Sequence, residues 1–144
     1  MSFNFPLLPT TTISASGVGA PTNEFGYYRD LYLMLNCSAV PTGGSPTLDV
    51  YLQTSCDGGA TWQDIGHWAQ LTSSTGKKFA AISGEVTGPT TAVAASDAAL
   101  AANTFVQGPW GNQLRIKYVF AAGGSTGSYT LTVWVSPKVA APGG

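Results

Sequence analysis

Charge is what this sequence has least of. Six Lys/Arg and seven Asp/Glu make 9% of the 144 residues and leave a formal net charge of −1, where an ordinary globular chain carries about 25% charged residues. That scarcity excludes nucleic acid as the main partner, because neutralising phosphates takes clustered Lys and Arg, and the only adjacent basic pair is Lys77-Lys78. Histidine occurs once, at His67, and cysteine twice, at Cys37 and Cys56. So small a set of nitrogen and sulfur ligands offers no protein-built zinc site, and no metal or other cofactor is expected. The cysteines are spaced neither as a close metal-binding pair nor as a disulfide-dense framework. The stretch from Met1 to Pro9 lacks the basic and continuous apolar regions of a signal peptide, so both thiols are expected to be reduced. No run approaches the ~18 apolar residues of a membrane span, so no membrane partner is expected.

What the chain does have is apolar and turn-forming: 44% hydrophobic residues, 18 glycines and 9 prolines. Its length suits one domain, and a chain of this size buries roughly 68–70% of its unfolded surface. Residues 1–25 mix Pro6, Pro9 and Pro21 with Gly17, Gly19 and a Thr/Ser run. They read as an extended N-terminal arm with at most one edge strand. From Tyr28 the chain alternates with the period of a strand, Leu31, Leu33, Leu35 and Cys37 against Asp30, Tyr32, Met34 and Asn36. Leu48, Val50, Leu52 and Thr54 repeat the pattern, and after Asp57-Gly58-Gly59 a run from Thr61 to Leu71 completes a hairpin. In that second run Trp62 and Trp68 share one parity while Ile65, Ala69 and Leu71 share the other, and Gly66 marks a candidate bulge.

Lys77 to Ile82 is a short amphipathic strand. Gly84 to Trp110 has no period and reads as a long loop of small residues, with Ser96 and Asp97 as candidate caps of one helical turn. Two further strands close the chain: Gln113 to Phe120 and Tyr129 to Ser136, joined by the glycine-rich loop Gly123 to Gly127. Six to eight strands with Gly/Pro turns and no long helix predict an all-β, antiparallel sandwich, jelly-roll-like, over residues 26–137, followed by a flexible tail over 138–144.

The sharpest motif is Ser55-Cys56-Asp57-Gly58-Gly59-Ala60-Thr61-Trp62, which fits the S-x-D-x-G-x-T-W pattern of an Asp-box. Asp57 suits turn amides, Gly59 a positive φ, and Trp62 a lid over the turn, with Ser55 and Thr61 completing the brace. These roles stabilise a hairpin and perform no chemistry. His67 would have to serve any triad, yet simple alternation puts it and Asp64 on opposite faces, so it reads as a partly exposed strand histidine. The carboxylates Glu24, Asp30, Asp49, Asp57, Asp64, Glu85 and Asp97 include no pair announced by spacing, as a glycosidase would need. No catalytic residue is therefore expected. Trp68, Trp110 and Trp134 are candidate partner contacts, Trp134 because its parity opposes Tyr129, Leu131, Val133 and Val135. Phe3, Phe5, Leu7 and Leu8 are candidate anchors in the arm.

The segment Ser45 to Ile65, with Leu114-Arg115-Ile116-Lys117-Tyr118 and the strand from Tyr129 to Val135, resembles small virion proteins of tailed bacteriophages. The resemblance spans roughly residues 28 to 136. It implies a sandwich or jelly-roll protein, made in the host cytoplasm and located on the capsid exterior, that decorates and cements the major capsid protein lattice. A copy of itself is a further expected partner. Tail, head-fibre or head-tail adaptor components are alternatives within the same group. Outside it stands a carbohydrate-binding sandwich with a host glycan as ligand, which an exposed row of two or three aromatics in a groove would favour. A repeated Asp-box or a second carboxylate across a cleft would favour a hydrolase.

Overall fold

The computed structural model describes residues 4–88 and 91–139. Among these residues nine strands form two antiparallel sheets: β1 (Phe5–Ile13), β2 (Gly17–Val18), β3 (Asp30–Ala39), β4 (Thr47–Ser55), β5 (Gln63–His67), β6 (Gly76–Ser83), β7 (Thr104–Phe105), β8 (Gln113–Ala121) and β9 (Tyr129–Lys138). Sheet A has the order β1-β9-β3-β6 and sheet B the order β2-β8-β4-β5-β7. The sheets pack as a sandwich, as the alternation predicts. β2 and β7 are two-residue edge pieces, which accounts for the excess over the expected strand count. The one helical element among the described residues is a 3₁₀ turn at Phe25–Tyr27, not the expected turn near Asp97.

The core is built from the predicted parities. Leu31, Leu33 and Leu35 of β3, Leu48, Val50 and Leu52 of β4, Leu114 and Ile116 of β8, and Leu131, Val133 and Val135 of β9 are all at most 1% exposed. Burying each such side chain contributes roughly 1.5–3 kcal/mol. β4 and β5 bury both faces, β4 through Tyr51, Gln53 and Ser55 as well as its core residues. The outer side of sheet B is covered there, and the cover is the long crossing between β6 and β8.

The expected arm contains an edge strand, longer and more deeply packed than its prolines suggest. Residues 5–13 form β1, paired antiparallel with β9 from Phe5↔Val135 to Ile13↔Tyr129. Register shifts between Pro6 and Leu8 and between Leu8 and Thr11 break the alternation, so consecutive Leu7 and Leu8 are both buried. The strand lies at an edge, where Pro6 and Pro9 cost no ladder bonds. Leu7, Leu8 and Ile13 belong to the core cluster and Phe5 packs against it, edge-on to Phe25 at 5.9 Å. Leu7, Leu8 and Phe5 are therefore internal packing residues. Phe3 lies outside the described residues. The tail boundary also moves: Pro137 and Lys138 pair with Leu31 and Asp30 as the end of β9.

The other edge of sheet A, β6, is closed along part of its length. The side-chain amide of Gln107 donates to the Ala81 carbonyl at 2.9 Å and accepts from the Ser83 N–H at 2.8 Å, while Gly108 N–H reaches the Ser83 carbonyl at 3.0 Å. Lys78, opposite core-facing Leu35, points a charge along the inner side of the same edge, a device that discourages edge-to-edge pairing.

Candidate functional site

The hairpin brace follows from short-range chemistry. Ser55 Oγ donates to Asp57 Oδ1 at 2.8 Å and accepts the Gly59 N–H at 2.9 Å. Asp57 Oδ1 accepts the Thr61 N–H at 2.8 Å, and that bond, more than the Ser55 hydroxyl, holds the Asp57 carboxyl below its usual range. Gly58 and Gly59 sit at φ 75° and 92°, where a side chain would be strained. Trp62 donates its indole N–H to the Gly59 carbonyl at 3.0 Å and carries the Arg115 guanidinium 4.2 Å above its ring, a cation–π contact. The five motif residues thus meet in one turn, and Ser55 takes more of its amides than Asp57 does.

Behind the hairpin lies a buried polar cluster that alternation alone misplaces. Between Leu52↔Gly66 and Gln53↔Asp64 the pairing skips Ile65, so β5 carries a bulge that turns Asp64 and His67 to the same, outer face. A Cβ on Gly66 would lie 2.6 Å from the Phe105 ring, so only glycine fits beside the bulge. His67 is 4% exposed, not partly exposed as expected. Its Nδ1 lies 2.8 Å from the Leu100 carbonyl and its Nε2 3.0 Å from Asp49 Oδ1. Its ring stacks on Tyr51 at 4.0 Å. The same bulge sends Trp68 inward, 2% exposed and edge-on to Phe105 at 5.0 Å. Trp68, read as a candidate partner contact, is thus packed in the core.

Asp64 is fully buried and accepts five hydrogen bonds. Gln53 Nε2 (2.8 Å) and Ala98 N–H (3.0 Å) reach Oδ1; Ser96 Oγ (3.0 Å), Ala99 N–H (2.9 Å) and Leu100 N–H (3.1 Å) reach Oδ2. Burial pushes this carboxyl up, but the bonds from Gln53, Ala99, Ala98 and Leu100 together outweigh it and hold it below its usual range. Three successive backbone N–H groups converging on a carboxylate make an anion nest occupied by the protein's own side chain. Asp97, the expected helix cap, instead accepts from Lys117 Nζ at 2.9 Å and Gln53 Nε2 at 2.7 Å, and Lys117 is the larger cause of its lowered pKa. The cluster fastens a loop. It brings no serine or cysteine to His67, whose two nitrogens are occupied by Leu100 and Asp49.

The outer face of sheet A is the opposite case, apolar and uncovered by any of the described residues. Phe79, Met34 and Trp134 are direct cross-strand neighbours on β6, β3 and β9, with Tyr32 one step along. Phe79 is 73% exposed, Tyr32 59% and Trp134 38%. They line an open groove of about 600 Å³, flanked by Asn4, Ser136 and Lys138. Of the candidate partner contacts among the described residues, Trp134 stands on this face. Phe79, Met34 and Tyr32 were not singled out by sequence, although Met34 and Tyr32 oppose the core parity of β3 just as Trp134 does on β9. Trp110 is half-buried, with its indole N–H bonded to the Phe25 carbonyl at 2.7 Å.

Comparison with family models, with curated proteins and with solved structures finds no match to this chain. Among the described residues no helix is long and apolar enough to cross a membrane, and no cluster of His, Cys, Asp and Glu could hold a metal ion.

Proposed function

We propose that this protein is a non-enzymatic structural component of a tailed-phage virion, docking on the outside of the capsid lattice through the outer face of sheet A. The observation that carries the reading is the exposed band of Phe79, Met34, Trp134 and Tyr32 across three strands. Aromatic and methionine side chains are the ones enriched at the centre of protein interfaces. Lys77, beside Phe79 on the same face, and Lys138, at the groove wall, have no ion pair among the described residues. The face therefore suits an apolar protein surface rimmed by carboxylates. The resemblance of residues 28 to 136 to decoration proteins supplies the capsid as the partner.

A row of aromatics in a groove also satisfies the shape criterion for sugar binding. The chemistry of this lining favours protein, because it is predominantly apolar, whereas the many hydroxyls of a sugar need a matching number of donors and acceptors. The test is rebinding to particles that lack this protein, scored by co-sedimentation and by the temperature at which DNA is released. Truncating a central interface aromatic costs about 2 kcal/mol or more, some 30-fold in affinity. Phe79→Ala with Trp134→Ala should therefore abolish rebinding and leave the particles as fragile as those without the protein. Undiminished rebinding of the double variant refutes the docking face. Binding to tails instead of capsids assigns the protein to the tail or adaptor class, and retention on a host glycan by this groove favours the carbohydrate-binding reading.

A further inference from the structure

A second, smaller pocket lies where the 3₁₀ turn, the start of β3 and the end of β6 meet. It encloses about 400 Å³ between Tyr28, Arg29, Gly84, Glu85 and Trp110, and its lining is predominantly polar, the reverse of the sheet A groove. We propose that this pocket binds a neutral saccharide, an inference independent of the virion reading.

Its walls are held by backbone bonds. Arg29 N–H donates to the Lys138 carbonyl and Gly84 N–H to the Arg29 carbonyl, both at 2.7 Å. The indole of Trp110 is fixed by its bond to the Phe25 carbonyl. A Cβ at Gly84 would stand 2.8 Å from the Arg29 carbonyl and 3.2 Å from the Trp110 ring, so glycine lets the chain leaving β6 pack closely against the edge of the indole. Tyr27, 80% exposed, stands edge-on to Tyr28 at 5.8 Å and extends the aromatic surface outward.

The ligand class follows from charge and hydrogen-bond capacity. Arg29 and Glu85 form an ion pair whose side chains remain 36% and 52% exposed. A guanidinium offers five N–H donors and a carboxylate about four lone-pair positions, so the mutual contact leaves most of both free for a ligand. Glu85 opposes an anion and Arg29 opposes a cation, so the pair disfavours a ligand that carries a net charge of either sign. The polar lining disfavours an apolar one. A neutral molecule with adjacent donor-acceptor groups and an apolar C–H face for Tyr28 and Trp110 is a saccharide, its vicinal hydroxyls matched to the planar fork of Arg29 and the carboxylate of Glu85.

The test is a titration of the isotope-labelled full chain with glucose, galactose, mannose and N-acetylglucosamine, following the Trp110 indole N–H, the Arg29 side-chain N–H and the Gly84 amide by NMR. At least one sugar should give saturable shifts at all three with a millimolar Kd. Arg29→Gln, at a half-buried position outside the core cluster, and Trp110→Ala should each weaken that sugar about tenfold or more. Glucuronate, which adds a negative charge, should bind less tightly than glucose. No saturable shift with any of the four sugars, shifts at Trp134 in place of Trp110, or tighter binding of glucuronate than of glucose would each overturn the proposal.

Discussion

Replacing Asp64 with asparagine changes one oxygen to an amide nitrogen and tests how the long crossing between β6 and β8 is held. The amide group must face either the two donors now on Oδ1, Gln53 Nε2 and Ala98 N–H, or the three on Oδ2. Even the better orientation sets donor against donor twice. A hydrogen bond to a charged group is worth about 1.5–3 kcal/mol, so five of them added naively would rival the 5–15 kcal/mol stability of a typical domain. The loop detaches and rehydrates before that full cost is incurred. The expected loss is therefore about 3–5 kcal/mol, because each of two buried donors left unsatisfied costs about 1–3 kcal/mol and the remaining bonds lose their charged acceptor. In a domain of this size that lowers Tm by roughly 10 °C or more.

Urea unfolding gives the free energy, and amide hydrogen exchange at Ala98, Ala99 and Leu100 locates it, because these N–H groups should lose protection before the core does. The pH dependence carries a fixed sign. Asp64 has a lowered pKa in the folded state, so its stabilisation is present above the unfolded carboxylate value of about 3.9 and is lost as pH falls below it through the folded value. The variant should lack this component of the acid-side loss. An Asp64→Asn protein within about 1 kcal/mol of the parent, or one with unchanged protection at the three amides, would refute the account.

Deleting residues 4–13 should abolish folding by far-ultraviolet circular dichroism, because β1 supplies Leu7, Leu8 and Ile13 to the core; Leu8→Ala alone should cost about 2–5 kcal/mol in urea unfolding. Asp57→Ala should lower Tm by less than Asp64→Asn does, since its carboxylate is exposed and Ser55 holds part of the turn. The difference between Asp57→Ala and the parent should shrink as pH falls below the ordinary carboxylate value, because the folded pKa of Asp57 is lowered. Cys37 is buried and Cys56 exposed, both as free thiols. A thiol reagent should therefore titrate one group in the native protein and two after denaturation, and a mass lower by two hydrogens would contradict this.

Much of the sandwich is legible in sequence because β3, β4, β8 and β9 each keep one parity for the core. What escapes is where backbone irregularity breaks that parity. Two register shifts in β1 bury the neighbours Leu7 and Leu8 together, and the same prolines that suggest a free arm are compatible with an edge strand. One extra residue at Ile65 reverses the faces of Asp64 and His67 relative to each other and sends Trp62 outward and Trp68 inward. The loop over sheet B is silent in sequence for another reason: Asp64 recognises backbone N–H groups, which every residue but proline carries. Its trace was the row of polar residues Asp49, Gln53 and Asp64 on a face that turns out to be covered. The aromatic band on sheet A was half visible, since the parity that singles out Trp134 applies equally to Tyr32 and Met34.

Gln107 gives sheet A a chain terminator. With one amide group it occupies the donor and acceptor positions that a fifth strand would use beside Ala81 and Ser83, without presenting a further edge of its own. Growth of the sheet by copy upon copy stops at a side chain. A shorter residue at this position would leave the folded monomer largely intact while uncovering an adhesive backbone next to the exposed ring of Phe79. The resulting defect would be colloidal rather than conformational. It would depend on concentration and appear as association at protein levels where the parent chain stays dispersed.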